Sequence, residues 1–245
     1  MPEIFFEERA VAFIDVLGFS ALVDEAAGSA KDKQQLESLV GLLETAIPVL
    51  DKGVSSTVPA HLLPKHTYIS DSIILSAPLV DSEIKHYSGL EIVVMRCIQL
   101  THRFLVAGYL LRGGIAVGHV WHSDTNIVGP AYQEAYKIEA NGCNPSIVLS
   151  DAAQERWSKG FGASSRMCVL NHGALMVNGL HDYYIEDQSD RGVKRAYEAY
   201  TLIVDECLAS NLPPKAKAKW EWFDSLLESE KSEANKWHGF AQNAA

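Results

Sequence analysis

Cysteine, basic residues and long apolar runs are all in short supply in this 245-residue sequence. The four cysteines, Cys97, Cys143, Cys168 and Cys207, are widely spaced, form no CxxC pair and have no clustered histidines at zinc spacing. That pattern excludes a disulfide scaffold and a zinc ribbon, and reads as buried free thiols in a reducing cytoplasm. Lysine and arginine number 21 against 31 aspartates and glutamates, a formal net charge of −10. So acidic a chain lacks the basic surface that sequence-independent binding to nucleic acid or anionic lipid needs, while one nucleotide held in a local pocket is compatible with it. No basic segment leading into an apolar one opens the sequence, and the longest apolar stretches are interrupted well short of a bilayer span. The expectation is a soluble cytoplasmic protein with neither membrane nor nucleic acid as a partner.

What is present is a 47% apolar fraction, enough for one large domain or one domain with an extension. Two acids stand isolated within it. The stretch 10-AVAFIDVLGFSALV-23 begins as a buried strand, Val11–Val16, carries Asp15 near its end and turns at Gly18 into a helix. In 66-HTYISDSIILSAP-78, Asp71 interrupts a second run suited to a strand. Between them Leu36, Leu39, Leu42, Leu43, Ile47 and Leu50 space an amphipathic helix over 31–50, stopped by Gly53 and followed by a surface loop over 53–65. A long helix is predicted over about 83–107. The stretch 109-YLLRGGIAVGHVWHSD-124 then reads as a strand, a turn and a hairpin partner, with Gly113-Gly114 as a bend or bulge. Residues 130-PAYQEAYKIEANG-142 form a marked helix, and Ser150, after a short strand at 146–150, caps the next one. Further β segments are expected near 167–170 and 182–186. From Asp190 onward only helix is expected, broken at Pro213-Pro214, and the charged clusters of the last helix read as a solvated face. The chain divides into an α/β (α+β) domain over 1–188 and a helical extension over 189–245.

This order of features resembles the catalytic domain of class III nucleotide cyclases over roughly residues 10–155. That family's opening strand reads like F-x-D-I-x-G-F, matched by Phe13, Asp15, Val16, Gly18 and Phe19. Its second acid follows Ile-Gly, where this chain has Ile69-Ser70-Asp71. Its R-x-G-I-x-x-G strand is matched by Arg112, Gly114, Ile115 and Gly118, and its G-x-x-x-N-x-A-x-R-x-E helix by Gly129, Ala135, Lys137 and Glu139. The resemblance implies a ferredoxin-like βαββαβ core with a mixed, mostly antiparallel sheet flanked by helices. It implies two Mg²⁺ or Mn²⁺ ions on Asp15, Val16 and Asp71, one activating a ribose 3′-hydroxyl and one neutralising a triphosphate as pyrophosphate leaves. The amides of Leu17, Gly18, Phe19 and Ser20 would receive phosphate oxygens at a helix start. A head-to-tail homodimer would share its two sites, with Gln133 and Lys137 facing the acids of the other chain.

Departures from the family concern the base and the phosphates. The position four before the second acid, a purine reader in members that use ATP or GTP, is Thr67, and that three before the helix-opening glycine is Asn126. Tyr68 adds bulk beside them. The combination of Tyr68-x-Ser70-Asp71-Ser72 with Leu111-Arg112-Gly113-Gly114 is similar to the bacterial pyrimidine cyclases of Pycsar anti-phage defence, whose cyclic UMP or cyclic CMP acts on a separate effector. UTP, or else CTP, is the implied substrate, with Thr67, Tyr68, Arg112 and Asn126 at the base. Residues 67, 69 and 71 share one face of a regular strand, so either Thr67 contacts the base or a bulge turns Tyr68 towards it. On the phosphate side the family's arginine and asparagine of the helix become Lys137 and Gln133, and a phosphate-binding arginine becomes His119. An adenylate or guanylate cyclase, and a silent cyclase-like module that binds nucleotide without turnover, stay open as alternatives.

Overall fold

Residues 3–54, 58–171 and 173–239 are described by the structure, a computed structural model. Strand β1 (Glu7–Val16) is buried along most of its length, as a strand covered on both faces must be. Helix α1 (Phe19–Ala26) follows it directly, and α2 (Ala30–Lys52) starts where the Ser29 hydroxyl accepts from the Asp32 amide and stops at Gly53. Strands β2 (Lys65–Ile69) and β3 (Ser72–Pro78) form a hairpin. Helix α3 (Gly89–Val106) begins at Gly89 rather than near residue 83, because the Asp81 carboxylate accepts from the amides of Glu83 and Ile84 and holds a turn there.

Strand β4 (Leu111–His122) runs unbroken through Gly113-Gly114, and its short partner β5 (Ile127–Val128) comes only after a turn at 123–126. The two glycines make no bend. A side chain at 114 would meet the Ala135 carbonyl at 2.4 Å, so Gly114 is what lets a helix lie close on the sheet. That helix is α4 (Pro130–Asn141), followed by β6 (Ile147–Leu149) and α5 (Asp151–Lys159), the latter capped by Ser150 as expected. Strands β7 (Cys168–Asn171) and β8 (Ala174–Val177) pair with each other, whereas 182–184, expected as β, is a 3₁₀ turn. Helices α6 (Asp190–Ala209) and α7 (Pro214–His238) end the described chain. Among the described residues no helix is long and apolar enough to cross a membrane.

The sheet runs β2-β3-β1-β4-β6-β8-β7, with β5 on β4. Its first four strands pair antiparallel in the order of a ferredoxin-like βαββαβ unit, and the β4–β6 pair is parallel. The fold is α+β. Leu39, Leu43 and Ile47 of α2 and the inner face of α3 pack on one side of the sheet with Ala10, Ala12 and Ile14. Burying each such leucine or isoleucine contributes roughly 1.5–3 kcal/mol. On the other side Ala131 and Ala135 of α4 lie against Val11, Phe13 and Ala116. A third core joins α6 and α7, through Tyr197, Val204, Phe223 and Leu227, to Leu105 and Leu110. Of the four free thiols only Cys97 and Cys168 are buried, while Cys143 is exposed.

Candidate functional site

Asp15 sits one residue before the end of β1, on the α4 side of the sheet, opposite Ser72 on β3 and Arg112 on β4. Asp71 is not in a strand. Ile69 pairs with Ser72, leaving Ser70-Asp71 as a two-residue turn at the sheet's end, with Ser70 at a φ of 57°. This positive φ is a glycine preference, which accounts for the Ile-Gly of the motif that Ile69-Ser70 replaces. Because Ser72 is in register with Asp15, the turn places Asp71 beside Asp15, within hydrogen-bonding reach of its carboxyl.

The two acids therefore meet. The Ser72 hydroxyl donates to Asp15 Oδ1 at 3.2 Å, and an Arg112 nitrogen lies 3.7 Å from Asp15 Oδ2. Burial, then the charges of Asp71 and Glu139, push the Asp15 carboxyl up to about 7. The Leu17 amide donates to the Leu110 carbonyl at 3.0 Å, so by the alternation of an antiparallel ladder the Val16 carbonyl is directed the other way, towards the Asp71 turn. Two carboxylates and a carbonyl thus converge with acid in excess. Among the described residues there is no cage of three or more His, Cys, Asp or Glu side chains. A set of two carboxylates fits a hard cation that keeps waters and takes further oxygens from a bound phosphate.

That same Leu17 amide is committed to the chain, which corrects its assignment to a phosphate. Gly18 caps α1 in a left-handed conformation, φ 89°, and no side chain caps the helix. The first-turn amides, Phe19 and Ser20 among them, thus have no side-chain acceptor.

Arg112 is tied down. Its Nε donates to Glu139 Oε1 at 2.7 Å, a second nitrogen pairs closely with the same oxygen, and Nη1 reaches the Gly142 carbonyl at 3.1 Å. The guanidinium joins the end of α4 to the acid pair, with three of its five N–H groups committed within the chain. Tyr68 is corrected. It points to the α2 side, where it packs on the main core with its hydroxyl buried, while Thr67 shares the α4 side with Asp15. The Thr67 hydroxyl is bonded to His122 Nε2 at 2.9 Å. Asn126 is exposed in the turn after β4, its side chain accepting from the Ile127 amide at 2.8 Å. His119 is exposed on β4 opposite Glu8. Gln133 and Lys137 are exposed one turn apart on the outer face of α4, while Glu139 faces inward. The chain does not gather Asn126, His119, Gln133 or Lys137 around its own acids.

One cation was missed. Lys219 of α7 is half-buried in the field of Arg112, Asp15, Cys143 and Glu139, and burial, then Arg112, hold its ammonium below the usual lysine range. The last helix is thus not merely a solvated face. Lys219 lies one turn before Phe223, which is in the core shared with Leu110, a spacing legible only once α7 was known to dock there.

No family model matches the chain, and no curated protein matches it. Among solved structures it is similar to the adenylyl cyclase CyaB from P. aeruginosa, at 16% identity and a TM-score of 0.49, covering 72% of this chain and 94% of that one. It is similar to the monomeric guanylyl cyclase domain of the RhoGC fusion protein from the aquatic fungus Blastocladiella emersonii, at 18% identity and 0.49, covering 72% and 98%. A third is a class III adenylyl cyclase-like ATP-binding protein from Pseudomonas aeruginosa, at 11% identity and 0.46, covering 78% of this chain and 40% of the other.

Proposed function

We propose that the chain is a nucleotide cyclase that converts UTP, or else CTP, to the 3′,5′-cyclic nucleotide and pyrophosphate. The observation that carries this reading is the meeting of Asp15 and Asp71 at one end of the sheet, beside the uncapped start of α1. Asp15, Asp71 and the Val16 carbonyl would hold Mg²⁺ or Mn²⁺. When bound, the ions supply activation of the ribose 3′-hydroxyl and neutralisation of the departing pyrophosphate. Ser72 and Arg112 orient Asp15, and Arg112 also offsets the Glu139 charge that would otherwise bear on it. The amides of Gly18, at the cap, and of Phe19 and Ser20, in the first turn, donate to the phosphate oxygens in the positive field of the helix start.

The position of Gln133 and Lys137, exposed and turned away from the acids of their own chain, supports a homodimer in which each site takes these two residues from the other copy. Thr67, on the acid side of the sheet in the place of a purine reader, supports the pyrimidine. The cytoplasmic setting, the division at 188/189 and a product that signals to a separate effector in anti-phage defence belong to the same reading. Purified protein incubated with each of the four NTPs and Mn²⁺, with the products separated, tests it. Cyclic UMP as the main product is expected. Faster product from ATP ends the pyrimidine reading, and no cyclic product from any NTP ends the cyclase reading.

A further inference from the structure

On the sheet side that α4 does not cover, α2, α3 and α6 enclose an open cleft of about 500 Å³. Small-molecule sites occupy roughly 300–1,000 Å³. The polar atoms of its walls are largely spoken for within the chain. His102 is buried, and burial pushes its imidazole down to about 4, so the ring is neutral. Its Nδ1 meets the Tyr200 hydroxyl at 2.9 Å and its Nε2 the His181 carbonyl at 3.1 Å. The Tyr184 hydroxyl is directed to Met167 Sδ at 3.1 Å. The tyrosine rings are therefore fixed walls, continuous with Leu42, Leu50 and Val106.

Arg103 is the exception. Its Nε is buried with no hydrogen-bond partner, and no ion pair holds its guanidinium among the described residues. A planar cation with unused parallel donors, set in an otherwise satisfied and mostly apolar cleft, is the recognition chemistry for a carboxylate or phosphate oxygen pair. Glu186, exposed at the same cleft, opposes a second negative charge. We propose that this cleft binds an amphipathic monoanion, with a carboxylate on Arg103 and an apolar body against Leu42, Leu50 and Val106. The cleft lies apart from Asp15 and Asp71, and the proposal holds whatever reaction those acids serve.

Calorimetric titration and thermal melting of the whole chain with octanoate, octyl phosphate, octan-1-ol and acetate test it. Octanoate is expected to bind saturably and raise the melting temperature, with octan-1-ol and acetate weaker by about ten-fold or more. Arg103→Gln should weaken octanoate by a similar factor. Val106→Trp, a filling change at a side chain that is 63% exposed, should block it without disturbing the core. Octyl phosphate binding tighter than octanoate would overturn the carboxylate assignment. Octanoate binding unchanged in Val106→Trp, or no saturable binding of octanoate, would overturn the site, even if Arg103→Gln failed to fold.

Discussion

Two polar clusters lie on the α4 side of the same sheet, and they are built on opposite principles. In the first, Arg9 donates to the Ser76 hydroxyl and carbonyl and to Glu7, and Ser76 in turn meets His122 Nδ1 at 2.7 Å. Thr67 meets the other ring nitrogen, and Lys65 donates to the His122 carbonyl at 2.7 Å. Each donor there has an acceptor within the chain: Arg9 is paired with Glu7, and Lys65 is held by a carbonyl. In the second, Asp15, Asp71 and Glu139 face Arg112 and Lys219, and negative charge is left over. A matched cluster fixes strands to one another; an unmatched one stores a demand for cation. If this contrast is right, damage to the first cluster should be read in stability and damage to the second in turnover.

The largest effect expected is from the acids themselves. Asp15→Ala or Asp71→Ala should lower cyclic-nucleotide formation by about a thousand-fold or more, since one carboxylate cannot hold two cations against a triphosphate. Both variants should melt at or above the wild-type temperature. Ser76→Ala should do the reverse, keeping turnover while unfolding more readily by about 1–3 kcal/mol, because it strands Arg9 and His122. Undiminished product from either acid variant sinks the cation assignment.

The next effect concerns the exposed face of α4. Asp71→Ala and Lys137→Ala chains, each inactive alone, should regain about one quarter of wild-type activity when mixed, because half the dimers are heterodimers and each has one of two sites intact. Recovery near zero, with subunit exchange verified, would mean that each chain completes its own site.

A smaller effect appears in stability against pH. Asp15 is raised in the folded chain, so with divalent ions chelated the fold holds a proton that the unfolded chain has lost, and stability falls as pH rises from about 4 to about 7. His122 is lowered to about 4 by burial and then by the charges of Arg9 and Lys65, so its contribution runs the other way, rising with pH from about 4 to 6.5. His102 adds to that rise. The two trends oppose each other in the wild type. Asp15→Asn should remove the decline and stabilise the chelated protein above pH 7 by about 1–2 kcal/mol after allowance for solvent screening. Urea denaturation across pH reads it, and an unaltered slope in Asp15→Asn would show that Asp15 carries its charge in the fold without penalty.

The same contrast explains what could be read from the sequence. Asp15 was legible because a lone acid in a buried apolar run is anomalous, and α4 because Pro130 and Asn141-Gly142 mark both ends. The Asp71 turn was misread as strand because serine, not glycine, occupies its positive-φ position, so the hairpin signal was absent. The tie of Arg112 to Glu139 is not legible in the sequence, because this partner, 27 residues on, is brought to it only by the packing of α4 on Gly114. Lys219 had no local signal at all. It belongs to the site through the docking of α6 and α7, a tertiary fact that no period or cap encodes.

The smallest effect isolates the turn from the chemistry. Ser70 is exposed, at φ 57°, and a left-handed conformation costs a non-glycine residue roughly 1–2 kcal/mol. Replacing it by glycine removes that strain but loosens the unfolded chain, at about 0.4–1 kcal/mol. The difference leaves Ser70→Gly more stable by a few tenths to about 1 kcal/mol, visible as a shift in the urea midpoint with an unchanged slope. Asp71 should keep its place, since Ile69 and Ser72 pin the turn on either side, so turnover should change by less than about two-fold. A stability gain with turnover intact would show that the strain serves no purpose in the reaction. A gain with turnover lost would show that serine's restricted backbone holds Asp71 against Asp15, and the strained turn would then belong to the site rather than to the scaffold.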